Sequence, residues 1–167
     1  MRRDAIEELY RLYYNDALLY TLTVAGNRQV AEDAVMSAFY KALATADGRI
    51  NDFKSWLLKV CRNEVYTRIR RSKRLVRLDD KERAELKDES GSAIDRMIRE
   101  EEYRALYRAM GKLNESDREL LTLFYFEDLA VREIAAVLDR SEDAVKVGLY
   151  RARIKLKKIM EAIYEIR

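Results

Sequence analysis

The chain has 167 residues, of which 38% are charged and 49% apolar, and its formal net charge is +3. An apolar fraction of this size supports a folded core and excludes an intrinsically disordered chain. His is absent and only one Cys occurs, which excludes an internal disulfide bond and most catalytic or zinc-binding arrangements.

Little in the sequence interrupts a helix, because Pro is absent and only 5 Gly occur. The N-terminal segment carries acidic residues where a signal peptide needs an apolar stretch. No apolar run approaches the ~20 residues that span a bilayer. We therefore expect an all-α cytoplasmic protein without membrane insertion.

Three stretches with helical spacing occur in the first 74 residues, since apolar side chains recur three or four residues apart. These side chains are Ile6, Leu9, Tyr10, Tyr13, Ala17 and Tyr20, then Ala31, Ala34, Val35, Ala38, Phe39 and Ala42, then Leu57, Val60, Cys61, Val65 and Ile69. Gly26 and Asn27 separate the first two stretches. The pattern predicts a compact three-helix domain, residues 1–74.

The helical spacing is lost in residues 75–92, which read as a flexible connector. The stretch 79–102 has 10 acidic and 5 basic residues, so the predicted linker is acidic. Helical spacing then returns and predicts a second domain, residues 93–167. Asn114 and Ser116 are rival caps for one of its helices, and the sequence leaves both open.

Residues 131–153 have the spacing of a helix-turn-helix. A short helix ends at Leu138, three residues form a turn, and an apolar stripe from residue 145 to residue 163 marks a longer helix. Ser141 stands where it would cap this longer helix. Such a unit presents its second helix to the major groove of DNA. A plain helical hairpin has the same spacing, and the pattern alone does not separate the two.

Basic residues are concentrated in two blocks of the chain. Residues 62–77 carry seven Arg and Lys against one Glu, and residues 146–158 carry six with no acidic residue. Two such blocks favour a nucleic-acid ligand over a helical adaptor whose cations only improve solubility. The side chains predicted on the exposed side of the last helix are Lys146, Tyr150, Arg151 and Arg153.

Two sets of residues resemble one protein family. The C-terminal set is Leu113, Arg118, Glu133, Ile134, Ala135, Leu138, Ser141, Val145, Lys146, Arg151, Ala152, Arg153 and Leu156. The N-terminal set is Leu9, Tyr10, Ala31, Glu32, Asp33, Phe39, Lys41, Ala42, the FKSWL segment at 53–57, Arg62, Asn63, Arg70, Arg71 and Arg74. Residues 113–156 and 9–74 resemble the two domains of bacterial sigma factors of the extracytoplasmic-function group, in the family's order.

The resemblance implies a sigma factor, which directs core RNA polymerase to specific promoters and assists strand opening. It implies core polymerase and promoter DNA, both duplex and single-stranded, as partners, and an anti-sigma protein as a further one. It implies no enzymatic activity, catalytic residue, metal or cofactor. The alternative is a stand-alone helix-turn-helix regulator that binds DNA and never contacts polymerase.

The resemblance also implies which residues make these contacts. Those matching the family's polymerase-binding helix are Glu32, Asp33, Phe39 and Tyr40. Those matching its minus-ten surface are Arg62, Asn63, Tyr66, Arg70, Arg71 and Arg74. Those matching its minus-thirty-five surface are Ser141, Lys146, Tyr150, Arg151 and Arg153. The spacing of Tyr66 beside Arg62 and Arg70 offers cations for phosphates and a flat ring for an unpaired base.

The sequence departs from the family at several positions. Met36 and Ser37 stand where Gln and Glu are usual, and the loop before Phe53 lacks the usual aromatic residue. Val147 and Gly148 replace two polar residues that we expect to face the groove. Because direct base readout needs donors and acceptors, we expect weak binding to a family-type minus-thirty-five element, or recognition of a different sequence.

Overall fold

The computed structural model describes residues 3–45, 52–75 and 101–164, and these residues form helices and turns with no strand. The chain divides into two compact units, residues 1–92 and 93–167. The all-α class is therefore confirmed for the described residues. Apart from residue 75, the predicted linker at 75–92 lies outside the described residues, so its limits and flexibility stay predictions.

The N-terminal unit is built from three helices that pack against one another. They are α1 (Arg3–Ala25), α2 (Arg28–Ala44) and α3 (Phe53–Leu75). Gly26 has a φ of 72°, a left-handed conformation that suits glycine and turns the chain between α1 and α2. The Asn27 side chain accepts a hydrogen bond of 2.8 Å from the Val30 N–H and so caps α2.

The core of this unit lies along a narrow stripe of α2. All six apolar residues predicted for this helix are buried, four of them Ala. Small side chains let α1 and α3 approach α2 closely. From α3 the core receives the predicted Leu57, Cys61 and Val65, and also Leu58, while Val60 and Ile69 are half-buried. The first half of the α1 stripe is also only half-buried.

A chain of aromatic rings joins the three helices. The Phe39 ring of α2 lies 5.0 Å from Tyr10 of α1 and 6.2 Å from Phe53 of α3, centroid to centroid. Trp56 extends the chain at 5.9 Å from Phe53. Trp56 is half-buried, so it lies at the edge of the core.

A polar crosslink joins α2 to α3 beside this core. The Glu64 carboxylate accepts hydrogen bonds from Lys41 of α2 and, at 2.7 Å, from Arg68 of α3. Arg68 also donates to the Ser37 hydroxyl at 2.8 Å. Burial acts to raise the pKa of Glu64, but the hydrogen bonds and charges of Lys41 and Arg68 outweigh it and hold this pKa below its ordinary value.

The C-terminal unit contains four α-helices among the described residues. They are α4 (Glu101–Met110), α5 (Glu115–Leu121), which continues into a π-helical turn at Thr122–Phe126, α6 (Val131–Leu138) and α7 (Glu142–Tyr164). Asn114 caps α5, because its side chain accepts a 2.8 Å hydrogen bond from the Asp117 N–H. Ser116 instead accepts a hydrogen bond from Arg140 at 3.3 Å. The choice between the two caps is thereby settled in favour of Asn114.

Helix α7 packs against α4, α5 and α6. Of the stripe predicted as core, Val145, Leu149, Ala152 and Leu156 are buried, Ile159 is half-buried, and the side chain of Ile163 lies outside the described residues. Arg118 of α5 donates to the carbonyls of Met110 at 3.2 Å, Gly111 at 3.1 Å and Leu113 at 2.7 Å. It thereby adds donors to carbonyl groups at and just after the end of α4, where intrahelical N–H partners run out. The Met110 carbonyl also accepts from the Leu113 N–H at 3.0 Å.

Within the described ranges, none of the helices combines the length and apolar character needed to cross a bilayer.

Replacing Glu64 with Gln should lower the free energy of unfolding of the N-terminal unit by about 1 kcal/mol at neutral pH, because charge-assisted hydrogen bonds are lost. Since the pKa of Glu64 is lower in the folded state, the wild-type advantage is present above about pH 4.5 and is lost as the pH falls through the folded-state pKa. Urea unfolding followed by the fluorescence of Trp56, the only Trp, measures both effects.

Glu8→Gln, at an exposed position of α1, is the matched control and should leave the stability unchanged. A difference between wild type and Glu64→Gln that stays constant at every pH would contradict the crosslink.

Candidate nucleic-acid interface

The connection between α6 and α7 has helix-turn-helix form, which confirms the predicted motif. Asp139 adopts a left-handed φ of 52° and ends α6. Ser141 then caps α7, since its hydroxyl accepts a 3.1 Å hydrogen bond from the Ala144 N–H. Glu142 and Asp143 follow in the first turn, at the positive end of the helix dipole. The helix axis and the exposed face of α7 are fixed by this turn and by the buried stripe.

Three of the predicted minus-thirty-five residues project from the exposed face of α7. They are Lys146, Tyr150 and Arg151, and all three are exposed. Within the described residues, no hydrogen bond or ion pair engages these side chains. Among the described residues, this surface is therefore cationic and without an anionic partner.

Arg153 and Lys155, which belong to the same basic block, make contacts within the unit. The Arg153 guanidinium lies 4.7 Å from the centroid of Phe124, and its Nε donates to the Tyr125 hydroxyl at 3.0 Å. Lys155 Nζ lies 2.8 Å from the Asp117 carboxylate. Charge counting along the sequence missed both contacts, because the partners are 28 and 38 residues away.

Gly148 does not face the groove, so the expectation for this residue was wrong. A Cβ built at Gly148 would lie only 2.7 Å from Leu120 Cδ1. The position therefore faces α5, and glycine permits the close approach of α5 and α7. Val147, in contrast, lies on the outer face of α7 and is exposed. Of the two departures from the family, only Val147 changes the surface that would meet DNA.

The outer side of α3 presents a second cationic surface. Arg70 and Arg71 are exposed and form no ion pair within the described part of the chain. The Arg62 guanidinium lies 4.8 Å above the ring of Tyr66, which is partly exposed. Asn63 is also exposed. The helix thus brings the predicted Arg62, Asn63, Tyr66, Arg70 and Arg71 to its surface, while the side chain of Arg74 lies outside the described residues.

The outer side of α2 carries exposed apolar side chains, of which the sequence analysis named Tyr40 as a polymerase-binding residue but did not place Met36 and Leu43 beside it. Tyr40 is 73% exposed, and Met36 and Leu43 are exposed beside it at four and three residues' distance. We call these three residues the α2 outer stripe. The sequence could have shown this stripe, because its three residues have the i, i+4, i+7 spacing of one helix face. That face lies opposite the buried Ala residues.

The other residues predicted on α2 have different environments. Phe39 is 4% exposed and packs in the aromatic chain, so its side chain offers no surface to a partner in this conformation. Glu32 accepts a hydrogen bond from Arg28 Nε at 2.7 Å and is half-buried. Asp33 is exposed and accepts a hydrogen bond from Gln29 at 3.0 Å. Asp33 is therefore the acidic group that α2 presents most openly.

No group of three or more acidic, His or Cys side chains that could hold a metal ion occurs within residues 3–45, 52–75 and 101–164.

Comparison with known families accounts for both cationic surfaces. Residues 9–75 match the family described as Sigma-70 region 2, and residues 103–156 match Sigma-70, region 4. The chain belongs to the sigma-70 family. The two matched regions cover most of α1, all of α2 and α3, and most of the C-terminal unit. Except for Arg77, Lys157 and Lys158, the cations of the two basic blocks of this sigma factor lie within these regions.

Relatives similar to this sigma factor along most of its length include members of the extracytoplasmic-function (ECF) group, and this chain belongs to that group. The ECF RNA polymerase sigma factor SigM of Bacillus subtilis is 28% identical over 158 residues, covering 91% of this chain and 93% of the relative. RNA polymerase sigma factor YlaC of the same organism is 29% identical over 165 residues, covering 95% and 93%.

Two solved structures share the fold. The sigma factor RpoE of Bartonella quintana, in complex with the anti-sigma factor NepR, superposes with a TM-score of 0.65 at 21% identity, covering 96% of this chain and 98% of that one. CnrH in complex with the cytosolic domain of CnrY gives a TM-score of 0.62 at 25% identity, covering 96% and 90%.

Replacing Gly148 with Ala should lower the stability of the C-terminal unit by about 1 kcal/mol, although Ala in place of Gly raises the stability of an exposed helix by about 1 kcal/mol. The reason is the overlap with the fully buried Leu120, since overpacking a core costs about 1–3 kcal/mol. Hydrogen exchange of the α7 amides in the full chain measures the change. In a Leu120→Val background, Gly148→Ala should lower the stability by less than it does in the wild type. A Gly148→Ala chain that is more stable than wild type would contradict this packing.

Proposed function

We propose that this sigma factor directs core RNA polymerase to promoters through three surfaces. The α2 outer stripe with Asp33 binds core polymerase, the outer side of α3 binds the unpaired minus-ten strand, and the exposed face of α7 binds the duplex minus-thirty-five element. The observation that carries the proposal is the presence of both sigma-70 regions in one chain, each with surface cations that have no ion-pair partner among the described residues. A stand-alone regulator would have no use for the region matched at residues 9–75.

The outer side of α3 has the chemistry that a single strand requires. Strand-binding grooves combine cations for the phosphates with aromatic rings for the bases, and each base stack contributes about 1–3 kcal/mol. Arg70 and Arg71 supply the cations, and Tyr66 supplies a ring whose orientation is steadied by Arg62. Asn63 adds an amide that both donates and accepts hydrogen bonds at a base edge. Arg74 stays in the proposed minus-ten surface because of its position in α3, although its side chain lies outside the described residues.

The α2 outer stripe has the chemistry of a protein interface. Exposed Tyr and Met side chains are enriched in interface cores, where burial of apolar surface drives binding. Asp33 adds an acidic group at the edge, and Phe39 packs against Tyr10 in the core rather than touching the partner. Glu32, paired with Arg28, contributes less because its charge is already neutralised locally.

On α7, Lys146 and Arg151 contact phosphates while Tyr150 lies toward the groove. Ser141 holds the N-terminus of α7 in register through its cap. Arg153 acts as a positioning residue, because it fixes the π-helical turn against α7 through Tyr125 and Phe124.

The proposed role is not enzymatic, since phosphodiester chemistry belongs to the core polymerase and this chain supplies positioning. It needs no cofactor and takes place in the cytoplasm, with the polymerase. An inhibitory anti-sigma partner is proposed from the family resemblance.

Replacing Tyr40 with Ala should weaken binding to core polymerase by about tenfold, because a large exposed ring near the centre of an interface contributes disproportionately to affinity. Titration of fluorescently labelled full chain with purified core enzyme measures the dissociation constant. Leu12→Ala, an exposed apolar residue on α1, is the matched control and should leave the constant unchanged. Equal effects of the two substitutions would show that α2 does not form the polymerase contact.

A further inference from the structure

The face of α7 opposite the core carries exposed apolar side chains. Val147 is 48% exposed and Ile154 is 41% exposed, with Tyr150 between them. Because successive residues of a helix are separated by about 100°, Val147 and Ile154 point almost directly away from the buried stripe. Nothing in the described part of the chain covers them.

The surroundings of these side chains indicate what covers them. Lys146 and Arg151 flank the face and form no ion pair among the described residues. No acidic residue occurs from 146 to 158. An apolar strip bordered by free cations on both sides is complementary to a groove with apolar groups on its floor and anions on its walls. The major groove of DNA has this arrangement.

The position along α7 separates the two apolar residues. Val147 is five residues after the helix start at Glu142, about 7.5 Å along the axis at ~1.5 Å per residue. Ile154 is about 18 Å from the start by the same measure. In helix-turn-helix proteins the N-terminal residues of the recognition helix contact base edges. Val147 therefore lies within reach of the bases, and Ile154 lies beyond them.

An aliphatic side chain in the major groove has one apolar partner among the bases. A valine has neither donor nor acceptor, and the C5-methyl of thymine is the apolar group that the groove floor presents. We propose that Val147 is a specificity-determining residue that selects thymine in the duplex promoter element by contact with this methyl group. The inference rests on the proposed function and gives a physical reason for the expected recognition of a different sequence.

The test begins with promoter fragments whose minus-thirty-five segment is randomised, from which holoenzyme formed by core polymerase and the full chain selects its preferred duplex. Each thymine of that duplex is then replaced by deoxyuridine, which removes the methyl group and no hydrogen-bonding group. At one position the wild-type holoenzyme should bind the deoxyuridine duplex about fourfold more weakly, as expected for one buried methyl group.

Substitution of the protein assigns this effect to a side chain. Val147→Ala should bring the affinity ratio between the thymine and deoxyuridine duplexes close to one, without unfolding α7, because Ala favours a helix at an exposed position. Ile154→Ala is the matched control: it removes a similar apolar group from the same face, and the ratio should keep its wild-type value.

Four results would overturn the inference. A ratio that stays at its wild-type value in Val147→Ala, or a selected duplex without a methyl-sensitive thymine, would show that Val147 does not read this base. If the holoenzyme then still transcribes from promoters, the proposed function stands and only the readout is wrong. If the chain neither binds core polymerase nor selects any duplex, both fail. Loss of binding to a protein inhibitor in both Ala variants, with no methyl effect, would assign the face to a protein partner instead.

Discussion

Burial of one narrow stripe on each of α2, α3 and α7 determines which side chains can contact another molecule. In α2 the stripe is mostly Ala, which lets two helices approach and turns Tyr40 outward. In α7 the stripe from Val145 to Leu156, together with Gly148 against Leu120, turns Lys146 and Arg151 outward. Because a helix is rigid, the packed face and the exposed face are fixed together. The surfaces proposed for polymerase and DNA are thus consequences of how the cores pack.

The cations of the chain have two different roles. Arg118 and Arg68 hold helices together through hydrogen bonds to carbonyls, a hydroxyl and a carboxylate. Arg70, Arg71 and Lys146 have no partner among the described residues. Counting positive charges along the sequence therefore overestimates the charge available to DNA, and the structure reduces the basic blocks to the members that remain exposed. The exposed cations still suffice for DNA binding, because each phosphate contact adds its own electrostatic contribution to affinity.

Helical periodicity predicted the helices, the six buried residues of α2 and the inward stripe of α7, because these depend on spacing within one element. Periodicity could not predict the contacts of a side chain with residues that are distant in sequence. Arg153 is held by Tyr125, and Gly148 is packed against Leu120, from a helix that the local pattern does not connect with α7. In the α2 outer stripe only Tyr40 was predicted, from the family resemblance. The exposure of Met36 and Leu43 was overlooked, because apolar residues in a linear pattern do not show whether they are buried. The family assignment came from motifs in both halves, which periodicity alone would not have supplied.

The central claim is that two surfaces of one chain meet the same promoter, one holding opened strand and the other intact duplex. The most direct measurement combines purified core polymerase and the full chain on genomic DNA, with transcripts sequenced and unpaired thymines detected by permanganate. We expect transcripts from discrete start sites with reactive thymines in the minus-ten region, and weaker reactivity when Arg70→Gln and Arg71→Gln are combined, since single-strand contacts are lost. Duplex binding without transcripts from any template would contradict the account.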